Sequence, residues 1–176
     1  NDNNSVSVLL SNTVTGNTAG GSGGGIYLVA ANSHYYAGNT TISENTIYGN
    51  SAVNSGGGLY VSGAKLNITS NLIASNAAAA AAIAITATRN GTVNVDQNTI
   101  VGNTASTAPA YIVSWHGQSS NQGTPSGGSS FNNNNLLANN AQYLVYNGLL
   151  NTDTDLNMEN NWWGTSSSSD IPGKIY

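Results

Sequence analysis

Asn45-Thr-Ile-Tyr-Gly-Asn50 and Asn98-Thr-Ile-Val-Gly-Asn103 decide the fold, because the same frame returns along the chain. It recurs as Asn12-Thr-Val-Thr-Gly-Asn17, Asn71-Leu-Ile-Ala-Ser-Asn76 and Asn135-Leu-Leu-Ala-Asn-Asn140. Each copy holds two asparagines five apart, with an apolar residue two after the first. Asn161-Trp-Trp-Gly-Thr-Ser166 continues the series and loses the second asparagine. The first asparagine falls at 12, 45, 71, 98, 135 and 161, so the intervals are 33, 26, 27, 37 and 26 residues. A period near 26 with two longer intervals predicts a fixed turn with insertions at one or two corners. Leucine-rich repeats of similar length need a Leu-x-x-Leu-x-Leu frame that is missing, and the Asn, Gly, Thr and Val of these segments form helices poorly.

Working outward from the frame, apolar residues precede the first asparagine at minus five and minus three: Leu66 and Ile68, Val93 and Val95, Leu156 and Met158. Alternation with period two marks a strand with one face inward. The turn containing Phe131 departs, with Asn132 at the inward minus-three place. A second strand follows the second asparagine, as Ile26-Tyr27-Leu28, Leu59-Tyr60-Val61, Ile83-Ala84-Ile85 and Ala110-Tyr111-Ile112. Its outer residues are read as core and its middle one as exposed. Gly23-Gly24-Gly25 and Gly56-Gly57-Gly58 precede two of these strands and permit a tight corner with positive φ. Ala77 to Ala82 takes the place of that corner in the third turn. Stacking sets equivalent asparagines about 4.8 Å apart. Their amides can then bond to one another as a ladder and satisfy backbone groups freed at a bend. The asparagines are therefore read as scaffold rather than site.

The prediction is an all-β, single-stranded right-handed parallel β-helix of about six turns, a single domain over residues 1–176. The chain begins at Asn1 without Met, and is read as a mature piece of a longer secreted or surface protein. Only 6% of the residues are charged, three are Lys or Arg, and the net charge is -4. A nucleic-acid partner is excluded, because phosphate binding needs a basic face. A membrane span is excluded too, since no apolar run is long enough. Cysteine is absent, so stability must come from the repetitive core rather than from disulfides.

The frame Asn-x-Ile-x-Gly-Asn-x-Ala, followed by Gly-Gly-Gly-Ile-Tyr or Gly-Gly-Gly-Leu-Tyr, resembles the right-handed β-helix repeats of the pectate-lyase-like superfamily. Within it the chain is most similar to adhesin-like, surface-anchored bacterial and archaeal proteins. The ending Asn160-Asn161-Trp162-Trp163-Gly164-Thr165, with Asp170-Ile171 and Ile175-Tyr176, resembles the last turns of such domains. The resemblance spans nearly the whole chain. It implies a fold and an extracellular or cell-surface location, while the superfold itself carries enzymes, adhesins and fibres alike.

Enzymes of that group use a basic residue near calcium-binding carboxylates, or clustered Asp residues. The acids here are Asp2, Glu44, Asp96, Asp153, Asp155, Glu159 and Asp170. Glu44 and Asp96 fall two turns apart and one position offset, a poor pair for acid–base work. Asn151-x-Asp153-x-Asp155 opens like a calcium loop, but Leu156 and Trp162 stand where the EF-hand needs Gly and Glu. Asp153, Asp155 and Glu159 are retained as a looser calcium candidate; no other cofactor is implied. Neither His has a triad partner, so no catalytic residue is assigned.

The strongest candidate surface lies five residues past the middle of the second strand, where Asn32, Lys65, Arg89 and His116 form one stacked column. The long intervals insert their extra residues beside it, bringing Tyr35, Tyr36 and Trp115. Cations flanked by aromatics suit an acidic sugar, since Arg forks onto carboxylate and aromatic faces stack on sugar rings. Tyr27, Tyr60 and Tyr111 form a second exposed column. Trp162 and Trp163 are read as closing the end of the stack.

The leading functional expectation is a non-enzymatic extracellular or cell-surface module, structural or adhesive, binding polysaccharide or a cell-surface glycan. The alternatives are a polysaccharide lyase or epimerase acting on acidic glycans, and a subunit that self-associates through its ends into a filament. Ice binding would need a flat Thr array, which Thr86 and Thr88 do not extend.

Overall fold

The computed structural model describes residues 6–29, 39–117, 129–148 and 156–176; at positions 64 and 87–91 only the backbone is described. Every strand pairing among the described residues is parallel and joins one level of the chain to the next. The result is a parallel β-solenoid with three sheets. One short face stacks Thr13–Thr15, Thr46–Tyr48, Leu72–Ala74, Thr99–Val101 and Asn135–Leu137. A second stacks Thr18–Ala19, Ser51–Ala52, Ala77–Ala78 and Thr104–Ala105. The long face is an eight-stranded sheet, and its strands Ser55–Thr69 and Ala81–Asp96 fuse the two strands predicted around each corner. There are about four complete turns rather than six. The difference arises because the first and last levels carry only part of the frame; the second short face has four strands.

The inward columns match the alternation. Two after the first ladder asparagine stand Val14, Ile47, Ile73, Ile100 and Leu136, and then Trp163, which stacks on Phe131 with centroids 6.1 Å apart. Trp163 is only 6% exposed and Trp162 is 44% exposed, so one of the pair closes the core and the other faces out. Two after the second asparagine the inward residue is always alanine, at Ala19, Ala52, Ala78 and Ala105. Small side chains there suit a face with two-residue strands.

The predicted ladder exists twice. Asn12, Asn45, Asn71, Asn98, Asn134 and Asn161 form one; Asn17, Asn50, Asn76, Asn103 and Asn139 form the other. The rule is the same at each step. The backbone N–H of Asn71 donates to Asn98 Oδ1 at 3.0 Å, Asn71 Nδ2 donates to the same oxygen at 2.9 Å, and Nδ2 also donates to the Ile42 carbonyl at 2.9 Å. Both side-chain oxygens and nitrogens are thus satisfied although Asn76, Asn98 and Asn103 are fully buried. The residue before each asparagine of the first ladder has positive φ: Ser11, Glu44, Ser70, Gln97, Asn133 and Asn160. That left-handed residue turns the chain and swings the next N–H parallel to the stack, where the neighbouring amide oxygen accepts it.

Register in the fifth level differs from the prediction. The ladder asparagines are Asn134 and Asn139, not Asn135 and Asn140, so the intervals become 33, 26, 27, 36 and 27. In the run Asn132–Asn135 the composition cannot mark which asparagine turns inward; the shift by one puts Phe131, fully buried, at the minus-three place. Glycine acts where the second short face passes into the long face, as predicted. Gly23 and Gly56 have φ of 74° and 69°, and a Cβ on Gly57 would collide with the Ala77 carbonyl of the next level.

Replacing Asn98 by Ala would leave the backbone N–H and one Nδ2 donor of Asn71 without their acceptor and remove the bonds that Asn98 Nδ2 gives to the Ile68 and Asp96 carbonyls. Unsatisfied buried groups cost about 1–3 kcal/mol each, so a loss of about 3 kcal/mol or more is expected in urea unfolding. Asn134→Ala should behave like Asn98→Ala, whereas Asn135→Ala, outside the ladder, should cost less than about 1 kcal/mol. Equal losses at 134 and 135 would refute the register. Gly57→Ala should abolish folding or lower the urea midpoint sharply, while Gly20→Ala, where a Cβ meets nothing within 4 Å, should leave it nearly unchanged.

Candidate functional site

The ladders fix two corners of every turn; the third, within the long face, varies. In the second level it is crossed by Gly63 and Ala64 alone, between Ser62, which pairs with Val29, and Lys65, which pairs with Asn39. In the third level the register shifts between Ala87 and Thr92. The first level leaves this corner at Val29 and returns at Asn39. The fourth leaves at Gly117, level with Ala87, and returns before Ser130, level with Asn94. The fifth leaves at Gly148, level with His116, and returns before Asn157, level with Ser130. All the long inserts of the sequence therefore open at one place on the solenoid.

Lys65, Arg89 and His116 all belong to this corner, but the single column predicted for them does not form. Lys65 is exposed and level with Asn39 and Thr92. His116 lies in the column Val29, Ser62, Thr86, His116, Gly148, three places earlier along the strand. The cause is the fourth level: Val113-Ser114-Trp115, rather than Ala110-Tyr111-Ile112, aligns with Ile83-Ala84-Ile85. From Asn76 to Ile83 the chain runs seven residues, whereas from Asn103 to Val113 it runs ten. The same slip corrects Trp115. It faces inward, is fully buried, and cannot present its ring to a ligand; its Nε1 has no hydrogen-bond partner. Arg89 lies on the strand Ala81–Asp96 within the register shift. Asn32, Tyr35 and Tyr36 lie outside the described residues, as do Asp153 and Asp155. Glu159, the remaining calcium candidate, is exposed, and its N–H donates to Asn132 Oδ1 at 2.7 Å. Among the described residues no three His, Cys, Asp or Glu side chains gather as a metal site. Glu44 and Asp96 stay apart: Glu44 accepts from Ser11 Oγ, Asp96 from Asn133 Nδ2.

Beside the corner the outward face is aromatic. Tyr27 stacks on Tyr60 at 5.0 Å with 12° between the planes. Tyr111 does not continue that column; it is level with Ala81 and Tyr143. It forms instead the base of a second group that the sequence reading missed. Its ring is 4.7 Å from Tyr146, 6.0 Å from Tyr143 and 6.0 Å from Tyr176. Tyr176 arrives because Ile175 bridges Val145 and its own N–H donates to the Val145 carbonyl. His116 packs 5.0 Å from Tyr146. The signal in the sequence was the spacing of Tyr143 and Tyr146 on one strand, readable only with the fifth level in its true register.

Burial raises the Tyr111 pKa above the ordinary phenol value, and the neighbouring phenols Tyr176, Tyr146 and Tyr143 add to it. Burial lowers the pKa of His116. A base whose folded pKa lies below its unfolded value binds fewer protons when folded, so stability is lost as pH falls from about 6.5, the unfolded value, through the folded pKa. The urea midpoint of the wild type should therefore fall over that window more than that of His116→Gln. An identical decline in both proteins would exclude the His116 contribution.

No family model matches the chain, and no curated protein or solved structure does. No helix among the described residues is long and apolar enough to cross a membrane.

Proposed function

We propose that the chain is a non-enzymatic, extracellular or cell-surface solenoid module with a structural and adhesive role, and that its contact is a glycan. The adhesin-like resemblance of its repeats belongs to this proposal. One observation carries the reading: the long insertions of the first, fourth and fifth levels all open at the corner where Lys65, Arg89 and His116 lie, while the laddered stretch of each turn keeps a constant length. Insertions gathered on one face of a repeat protein are the usual place for binding. The sparse charge and the amide-rich, tyrosine-lined surface beside that corner suit a hydroxylated, weakly charged partner better than a polyanion.

A glycan array probed with the whole chain should show binding to a defined subset of polysaccharides. Incubation with an acidic polysaccharide should release no product. A chain that binds no glycan would refute the adhesive reading, and product release lost on Lys65→Ala would establish a lyase or epimerase in its place.

A further inference from the structure

We infer that Tyr143, Tyr146 and Tyr176, seated on Tyr111, form a binding platform for a neutral glycan chain on the outside of the last levels of the long face. The inference rests on the glycan reading above and names the ligand's class and the residues that hold it. Two strands and the terminal segment bridged to them deliver these rings to one patch, by the pairings of Tyr111 with Tyr143, Ser114 with Tyr146 and Val145 with Ile175. Tyr143 and Tyr176 lie 4.9 Å apart, and Tyr146 and Tyr176 5.6 Å apart, so the outer three surround the fourth. Tyr111 is 8% exposed and is held as a base; Tyr176 is 59% exposed.

The platform borders the variable corner directly. Tyr146 stands two residues before Gly148, and a Cβ on Gly148 would meet the Tyr146 ring. His116, packed against that ring, is the next-to-last residue before the fourth level leaves the sheet. A ligand entering the corner would therefore lie across these rings.

The chemistry selects the ligand. Phenol rings offer apolar faces to the C–H face of a pyranose, and their hydroxyls sit at the rim where sugar hydroxyls point. Amide groups edge the patch: Gln142 Nε2 donates to the Tyr143 hydroxyl at 3.3 Å, and the exposed Asn147 follows Tyr146 on the same strand. The electrostatic influences on Tyr111 come from other phenols alone, with no cation or carboxylate among them. Burial disfavours the charged form of His116, the imidazole packed on Tyr146, so a neutral sugar matches these rings better than a carboxylated or sulfated one. Tyr-rich surfaces also serve protein recognition; that occupant is an outcome of the test below.

The test is a glycan array followed by titration of the best neutral oligosaccharide against wild type, Tyr176→Ala, Tyr176→Phe, Tyr146→Ala and Tyr48→Ala. Tyr48 is an equally accessible tyrosine on another face, 51% exposed. Binding to neutral glycans is expected. It should weaken roughly tenfold or more in both platform alanine variants, stay within about threefold in Tyr176→Phe, which keeps the ring, and be unchanged in Tyr48→Ala; tenfold is 1.4 kcal/mol. Circular dichroism and melting temperature check the fold. Should Tyr146→Ala unfold, the exposed Tyr176 decides the matter. Binding restricted to acidic glycans, or neutral binding indifferent to Tyr146 and Tyr176, overturns this inference and leaves the glycan reading standing. A wild-type chain that binds no glycan overturns both.

Discussion

Everything in this molecule is referred to the hydrogen bond between the side-chain oxygen of one asparagine and the backbone and side-chain N–H groups of the asparagine one turn before it. An uncharged amide is well suited to the task. It carries donors and an acceptor together, so each step satisfies both neighbours without burying a charge. Asn98 shows the full set: its oxygen accepts two bonds from Asn71, and its nitrogen donates to Asn134 Oδ1 and to the Ile68 and Asp96 carbonyls. Net gains per bond are about 1 kcal/mol, but a missing partner costs more. The ladder therefore punishes misregister more than it rewards register. Positive φ one residue earlier is the conformational cost of the geometry, and polar residues or glycine occupy nearly all of those places.

Two laddered corners and a free third explain how a nearly uniform stack can carry an individual site. Between Asn71 and Asn76 or between Asn98 and Asn103 an inserted residue would put the two ladders out of step with each other. At the third corner no ladder runs. Levels there join through two residues, Gly63 and Ala64, or through much longer segments, without disturbing the columns Leu66, Val93 or Ile83, Val113 inside. The tyrosine platform is the counterpart on the stable side of that corner. Its rings are spaced by the strand register, so the sheet sets their separation and the side chains need little further ordering.

Most of the fold was legible because its determinants are local and repeated. The two asparagines five apart, the inward Ile47, Ile73 and Ile100, and the small φ-permissive Gly23 and Gly56 each state their role in the sequence. Register failed where redundancy erased the signal. In Asn132–Asn135 any of the asparagines fits the frame, and only the demand to bury Phe131 chooses Asn134. It failed again after Asn103, because the length of chain between the second ladder and the long face varies and neither Tyr111 nor Trp115 announces which of them turns inward. That second slip brought Trp115 into the candidate site and hid the platform. The composition of the corner was readable, with Lys65, Arg89 and His116 all placed beside it; their mutual alignment was not, since it depends on the variable lengths themselves.

Native-state hydrogen exchange of the ladder amides tests the central claim most directly. The backbone N–H groups of Asn45, Asn71 and Asn98, and of Asn50 and Asn76, each donate to a buried side-chain oxygen. If the ladders hold the solenoid together, these amides should be among the last to exchange, with opening free energies that converge on the global unfolding value. Exchange through local openings, decades faster than the core strand amides of Ile68 and Ile85, would show that the asparagines decorate a stack held by its apolar columns alone.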